Sequence, residues 1–169
     1  MTQALSVNTK LALTIQPIRE TQWRIAKNIQ LEKSQRKYVP SVEKLQREQI
    51  FQGDGTKKPF AIYGVWLDAS TIIGVFTIEK MQDGYMWLGG LQIDQQWQGH
   101  GFARRVLEGL IRHVIDHPEL KGMKLDVFEE NTPVYDFYRR LGFEEIEIYY
   151  TQRGDKLCRL QLSREHMSP

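Results

Sequence analysis

The chain has 169 residues, of which 41% are hydrophobic and 26% charged; this suits one folded domain and excludes a disordered chain. Lysine and arginine number 23 against 21 acidic residues, a formal charge of +2, so no general attraction to nucleic acid or anionic membrane is expected. One cysteine excludes an internal disulfide and a Cys-rich zinc site, and no apolar run approaches the ~18 residues of a membrane span.

Met1 to Lys10 reads as a polar tail without the apolar centre of a signal peptide, so a cytoplasmic protein is expected. Leu11 to Ile18 partly alternates and predicts a first strand. Trp23, Ala26 and Ile29 recur at helical spacing, which predicts a helix from Thr21 to about Lys33, with Thr21 as cap. Tyr38-Val39-Pro40-Ser41 breaks that helix, because a residue before proline avoids the helical region. Val42, Leu45, Ile50 and Phe51 suit a short second helix, ended by Gly53-Asp54-Gly55.

Three strands follow, Pro59–Trp66, Thr71–Lys80 and Tyr85–Ile93, joined by turns short enough to make them antiparallel neighbours. Ala103, Val106, Leu107, Leu110, Ile111 and Val114 then form the apolar stripe of a long helix that His117-Pro118 closes. Met123–Phe128 predicts a strand, Thr132–Leu141 a helix ended by Gly142, and Phe143–Tyr150 and Lys156–Leu162 two more strands. Cys158 sits in the alternation of the last strand, either as a small packed residue or as a reactive thiol. The fold class is α+β, a mixed and mostly antiparallel sheet of about seven strands flanked by about four helices. One domain, 11–163, lies between the tails 1–10 and 164–169.

The chemistry-bearing segment is Gln98-Gly99-His100-Gly101-Phe102-Ala103, at the junction of a strand and the long helix. Its two glycines either bring the backbone up to a phosphate at a helix N-terminus or only make a tight turn. No Gly-Lys-Ser/Thr follows, and the pattern is not G-x-G-x-x-G.

This segment resembles Q/R-x-x-G-x-G/A, the acetyl-CoA motif of the GNAT superfamily of N-acetyltransferases. Glu130-Asn131-Thr132-Pro133-Val134-Tyr135-Asp136-Phe137-Tyr138 followed by Leu141-Gly142-Phe143 is similar to the family's second signature. The resemblance runs from about Leu11 to Leu162, and within the superfamily the chain looks closest to the bacterial spermine/spermidine (diamine) acetyltransferase-like branch.

The resemblance implies the GNAT acyl-CoA N-acyltransferase fold, with Tyr85–Ile93 and Met123–Phe128 splayed apart and acetyl-CoA as co-substrate in the gap, without a metal. The pantetheine arm would pair with Leu91, Gln92 and Ile93, where Gly89-Gly90 permits a bulge. The pyrophosphate would lie on the N–H groups of Gln98, Gly99, His100, Gly101, Phe102 and Ala103, and Asn131 would touch the cofactor. Tyr138 would protonate the departing thiolate, while Tyr135, one turn away, would pack. The implied reaction is direct attack of a primary amine on the thioester, the acceptor being a small polycation such as a polyamine. The alternatives are an aminoglycoside-like or protein amine, or a non-catalytic acetyl-CoA-binding module on the same fold.

One departure stands out. Polyamine-like relatives carry an acidic residue directly after Trp-Leu, and here Gly89-Gly90 follows Trp87-Leu88. The base is thus left open among Asp94, Glu79, Glu129 and Glu130, with Glu20, Glu43 and Glu48 on the acceptor-side helices. Arg104 and Arg105 either face solvent or touch the phosphates. Exposed strand edges suggest a homodimer.

Overall fold

The structure, a computed structural model, describes residues 12–51 and 60–168. Its strands are β1 (Thr14–Pro17), β2 (Ala61–Trp66), β3 (Ile72–Lys80), β4 (Tyr85–Ile93), β5 (Gly122–Phe128), β6 (Glu144–Tyr150) and β7 (Lys156–Ser163). Its helices are α1 (Trp23–Ala26), α2 (Val42–Phe51), α3 (Phe102–Asp116) and α4 (Thr132–Arg140). The strands form one seven-stranded sheet in the order β1-β2-β3-β4-β5-β7-β6. All neighbours are antiparallel except β4 and β5, and the crossover between those two carries α3, as a parallel pair requires.

Both faces of the sheet are apolar in part, and each is covered by helices. The stripe read from the sequence puts Val106, Leu107, Leu110 and Val114 of α3 against Phe76, Met86, Leu88, Met123 and Leu125. The opposite face buries Ile62, Trp66 and Val75 under Trp23 and Ala26 of α1 and Val42 and Leu45 of α2. That second core draws its sheet residues from β2 and β3 only.

The predicted helix from Thr21 to Lys33 is much shorter: a 3-10 turn, Glu20–Gln22, leads into α1, which ends at Ala26. The cause lies far along the chain. The N–H of Gln30 donates to Asp94 Oδ2 at 2.7 Å, and the carbonyl of Gln30 accepts from the N–H of Gln95 at 2.8 Å. The backbone groups that would continue the helix are thus tied to the end of β4. α2 starts as expected, with Ser41 Oγ accepting the N–H of Lys44 at 3.2 Å as an N-terminal cap.

The remaining elements differ from the expectation by a residue or two at their ends, where helices and strands fray. A 3-10 turn, Arg164–His166, follows β7, and Arg164 donates to the carbonyl of Ile115 at 2.9 Å. Residues 1–11 and the Gly53-Asp54-Gly55 and Pro59 readings lie outside the described residues. Cys158 is buried, and burial pushes its thiol up to about 11, which favours the packing role over a reactive thiol. Among the described residues no helix is long and apolar enough to cross a membrane, and no group of three or more His, Cys, Asp or Glu is placed to hold a metal.

Candidate active site in the gap between β4 and β5

Strands β4 and β5 pair only at their first residues, Tyr85, Met86 and Trp87 with Gly122, Met123 and Lys124. Beyond Trp87 they part. The reason is a β-bulge on β4: Val75 pairs with Gln92 and Thr77 with Gly89, so Gly90 and Leu91 together oppose Phe76. Gly90 has φ +54°, and a Cβ there would lie 3.1 Å from Cδ of Pro40, so glycine meets both demands. The bulge bends β4 away while β5 stays in register with β7 to the pair Phe128–Leu157. One edge of β4 therefore turns backbone donors and acceptors into the gap, and these call for a partner.

Two cavities occupy this region. The larger, about 540 Å³, is lined by Leu91, Gln92, Ile93, Gln98, Ala103, Asn131 and Tyr138 among others. The smaller, about 90 Å³, lies in the gap itself between Leu88, Gly90 and Leu91 on one side and Leu125, Asp126 and Tyr138 on the other. Six of the ten residues expected to bind the cofactor, together with Tyr138, thus line one opening.

At its mouth, Gly99 (φ +75°) and Gly101 (φ +79°) turn the chain into α3. A Cβ at either would meet nothing within 4 Å, so backbone conformation and not crowding asks for glycine here, and the space before the turn is open. No side chain caps α3, and its first turn has no acidic residue. Arg104 and Arg105 sit in that turn instead, against the helix dipole, an arrangement that an anion at the N-terminus would relieve.

The residues of the turn divide by role. Gly99, His100 and Gly101 are exposed at the rim and do not line the larger cavity, whereas Phe102 is 2% exposed and its side chain belongs to the core. Of residues 98–103, Gln98 and Ala103 line the larger cavity. The ring of His100 rests 6.3 Å from that of Phe102. The side chain of Gln98 is occupied: its Nε2 donates to the carbonyl of Ile93 at 2.8 Å, and it exchanges 3.0 Å amide bonds with Gln35. Arg104 pairs with Glu108 at 2.9 Å.

On the other wall, Asn131 takes the N-cap position of α4 without a side-chain cap bond; its carbonyl accepts from Val134 and Tyr135 while its side chain lines both cavities. Tyr138 is 6% exposed and held edge-on between Phe137 and Phe143, with ring centroids 5.2 and 5.4 Å away. Its hydroxyl makes no hydrogen bond to any described residue, and burial raises its pKa well above that of a free phenol. Tyr135 points elsewhere, donating to Glu145 Oε2 at 3.0 Å. The choice between the two tyrosines therefore has a geometric basis.

None of the carboxylates considered from the sequence lines the smaller cavity, and of them Glu130 alone lines the larger one. Asp94 is buried and accepts the N–H groups of Gln30 and Gln96 at 2.7 and 2.9 Å, so it fastens a loop. Glu129 pairs with Lys156 at 2.6 Å. Glu130 pairs with Lys37 at 2.7 Å, a bond that holds its carboxyl below the usual range. Glu79 lies opposite Trp87 in the β3–β4 ladder and lines neither cavity. Glu20, Glu43 and Glu48 stand outside both cavities as well.

Two features escape the sequence reading. Residues 30–40 form a strap across the gap. Gln35 ties it to Gln98, Pro40 accepts from Gln92 Nε2 at 2.9 Å, Lys37 pairs with Glu130, and the Tyr38 ring sits 5.3 Å from that of Phe128. Asp126 lines the smaller cavity. The apolar neighbours Leu125 and Val127 were the available signal, since strand alternation turns Asp126 to the face opposite theirs. In sum, the opening suits a ligand with an anionic group on the glycine turn and an extended, amide-bearing arm along β4.

The comparisons agree with this geometry. Residues 19–143 match the family model described as acetyltransferase (GNAT) family. A spermine/spermidine N(1)-acetyltransferase of Bacillus subtilis is 30% identical over 91 residues, 54% of this chain and 55% of that protein. The chain thus spans about half the length of the curated relatives it matches. A Vibrio cholerae spermidine N-acetyltransferase, solved with CoA and spermine, superposes with a TM-score of 0.71 at 17% identity, over 92% of this chain and 97% of that one. The ribosomal-protein-S18-alanine N-acetyltransferase of Escherichia coli gives a TM-score of 0.65 at 18% identity, over 94% and 96%. With its matched region spanning both the glycine turn and Tyr138, the chain belongs to the acetyltransferase (GNAT) family.

Proposed function

We propose that the chain is an acetyl-CoA-dependent N-acetyltransferase whose acceptor is a primary amine of a small polycation, in the first place a polyamine. The observation that carries this reading is the gap between β4 and β5, with an open glycine turn at its mouth and the unpartnered hydroxyl of Tyr138 inside. The names of the Bacillus subtilis relative and of the Vibrio cholerae structure support the co-substrate and the acceptor class.

In this reading the backbone N–H groups from Gln98 to Ala103 hold the diphosphate, the free edge of β4 at Leu91, Gln92 and Ile93 pairs with the amide-bearing arm, and Asn131 borders it. Acetyl-CoA supplies a thioester carbon open to attack and a thiolate leaving group. An alkylammonium has a pKa near ~10.4, so about one molecule in ~10³ is neutral at pH 7 and deprotonation costs roughly 4–5 kcal/mol. The amine releases its proton to water, its nitrogen forms the bond to the acetyl carbon, and the carbon–sulfur bond breaks. An N–H at the β4 bulge faces the carbonyl oxygen as charge develops there. The acylated nitrogen gives its second proton to solvent, while Tyr138 gives its proton to the departing sulfur and regains one from solvent. Burial raises its pKa, and the same dry surroundings raise the proton affinity of the thiolate beside it, so the transfer stays within reach.

The test is a thioester-consumption assay with spermine, spermidine, putrescine and aminoglycosides between pH 6 and 9. The expected result is acetylation of the polyamines, with kcat/KM rising about tenfold per pH unit as the neutral amine fraction grows. Tyr138 titrates above this window and leaves no descending limb within it. Tight acetyl-CoA binding without acetylation of any amine would overturn the reading. The reading also places the chain in the cytoplasm and as a homodimer. The outer strand β6, with Ile146, Ile148 and Tyr150 exposed, supports the dimer.

A further inference from the structure

We infer that Asp126 receives the acceptor's ammonium group. This assignment rests on the function proposed above and deepens it by naming the acceptor's docking point. In the parallel pairing, Trp87 stands beside Lys124. Two residues further along each strand are Gly89 and Asp126, which face one another across the opening on that same face. The glycine turn and α3 belong to the other face, so an arm held there reaches the gap from behind. An attacking amine then comes to the side that carries Asp126; there Thr77 Oγ1 fills the place a Cβ of Gly89 would take.

The small cavity brings two groups together. One is Tyr138, 6% exposed, with a hydroxyl that no described residue satisfies. The other is Asp126, the one carboxylate lining this cavity, whose side chain is 18% exposed. Both border the place where the reacting carbon and nitrogen would meet.

Asp126 is also held in place. Arg159 Nε donates to its Oδ1 at 3.1 Å and Nη2 to its Oδ2 at 3.3 Å, and the hydroxyl of Tyr149 donates to the same Oδ2. Oδ1 thus receives a single donor and keeps room for another. The guanidinium itself is fixed between the rings of Trp87 and Tyr149, at 5.0 and 4.9 Å, and bridges to Glu147 at 2.8 Å. Arg159 is therefore a positioning residue, and Asp126 and Glu147 outnumber its charge on this face. Ring edges beside two carboxylates suit a methylene chain with ammonium groups at both ends. One ammonium meets Asp126, and a second lies toward Glu147.

The experiment compares the wild type with Asp126→Asn, Asp126→Glu and Glu147→Gln, using spermidine and n-butylamine as acceptors and measuring acetyl-CoA affinity separately by calorimetry. The expected result for Asp126→Asn is a spermidine KM raised about tenfold or more with acetyl-CoA affinity unchanged within twofold, partly restored in Asp126→Glu. Glu147→Gln should raise KM about threefold for spermidine and leave that for n-butylamine alone. A spermidine KM within twofold of wild type in Asp126→Asn overturns the assignment. Should Asp126→Asn fail to bind acetyl-CoA, an unchanged spermidine KM in Glu147→Gln overturns it instead. A wild-type protein that acetylates no amine defeats the broader reading, whereas active wild type with unaffected variants defeats only this one.

Discussion

Replacing Tyr138 by Phe should lower kcat by on the order of 10²–10⁴-fold, the usual contribution of a positioned general acid, or roughly 3–5 kcal/mol in the barrier. The substitution is a clean one. Phe keeps the edge-on packing against Phe137 and Phe143, and the hydroxyl it removes has no hydrogen-bond partner among the described residues. Removing a hydroxyl that faces a cavity and bonds no described residue breaks no internal hydrogen bond, so the melting temperature should hold within a degree or two. Acetyl-CoA affinity should shift by less than about threefold, or ~0.6 kcal/mol. A structural tyrosine would give the reverse pattern, with stability lost and turnover per folded molecule retained. The companion variant Tyr135→Phe loses a surface bond to Glu145 and should leave kcat close to wild type.

The second large effect is expected at Gly101. Its φ of +79° lies in the left-handed region, and a Cβ there meets nothing within 4 Å, so the penalty for a side chain comes from the backbone alone. A left-handed L-residue costs roughly 1–2 kcal/mol, and more when it is β-branched. Gly101→Val should therefore pull the turn out of the shape that aims its N–H groups outward and weaken acetyl-CoA binding by about tenfold or more, ~1.4 kcal/mol. Gly101→Asn should retain most of the affinity, because asparagine tolerates this conformation. Calorimetry on the two variants separates the causes: equal losses for Val and Asn would mean that side-chain bulk and not backbone shape controls the site.

Most of the secondary structure follows from short-range patterns. The i, i+3, i+4 stripe from Ala103 to Val114 has one stable use, a helix on an apolar sheet, and the strict alternation around Cys158 has only a strand. Elements whose ends depend on distant partners are not legible in this way. Trp23, Ala26 and Ile29 keep helical spacing, yet the helix stops at Ala26 because a carboxylate 64 residues away holds the N–H of Gln30. The strap over the gap is invisible for the same reason.

The site divides along the same line. The glycine turn is written in adjacent residues and stands out from the sequence. That Gly89 and Asp126 stand unpaired across the gap depends on where a parallel ladder stops, and no local pattern encodes that. Gly89-Gly90 reads from the sequence as a missing acid. The fold gives the pair two separate purposes: Gly90 makes the bulge that opens the sheet, and Gly89 leaves room for Thr77 Oγ1 on the neighbouring strand.

The most direct test of this account is a crystal structure of the protein with CoA. The account predicts the diphosphate within hydrogen-bonding distance of the N–H groups between Gln98 and Ala103, and the pantetheine amides paired with β4 beyond the bulge, with sulfur beside Tyr138. CoA bound elsewhere, or strands β4 and β5 zipped together along their whole length, would contradict it.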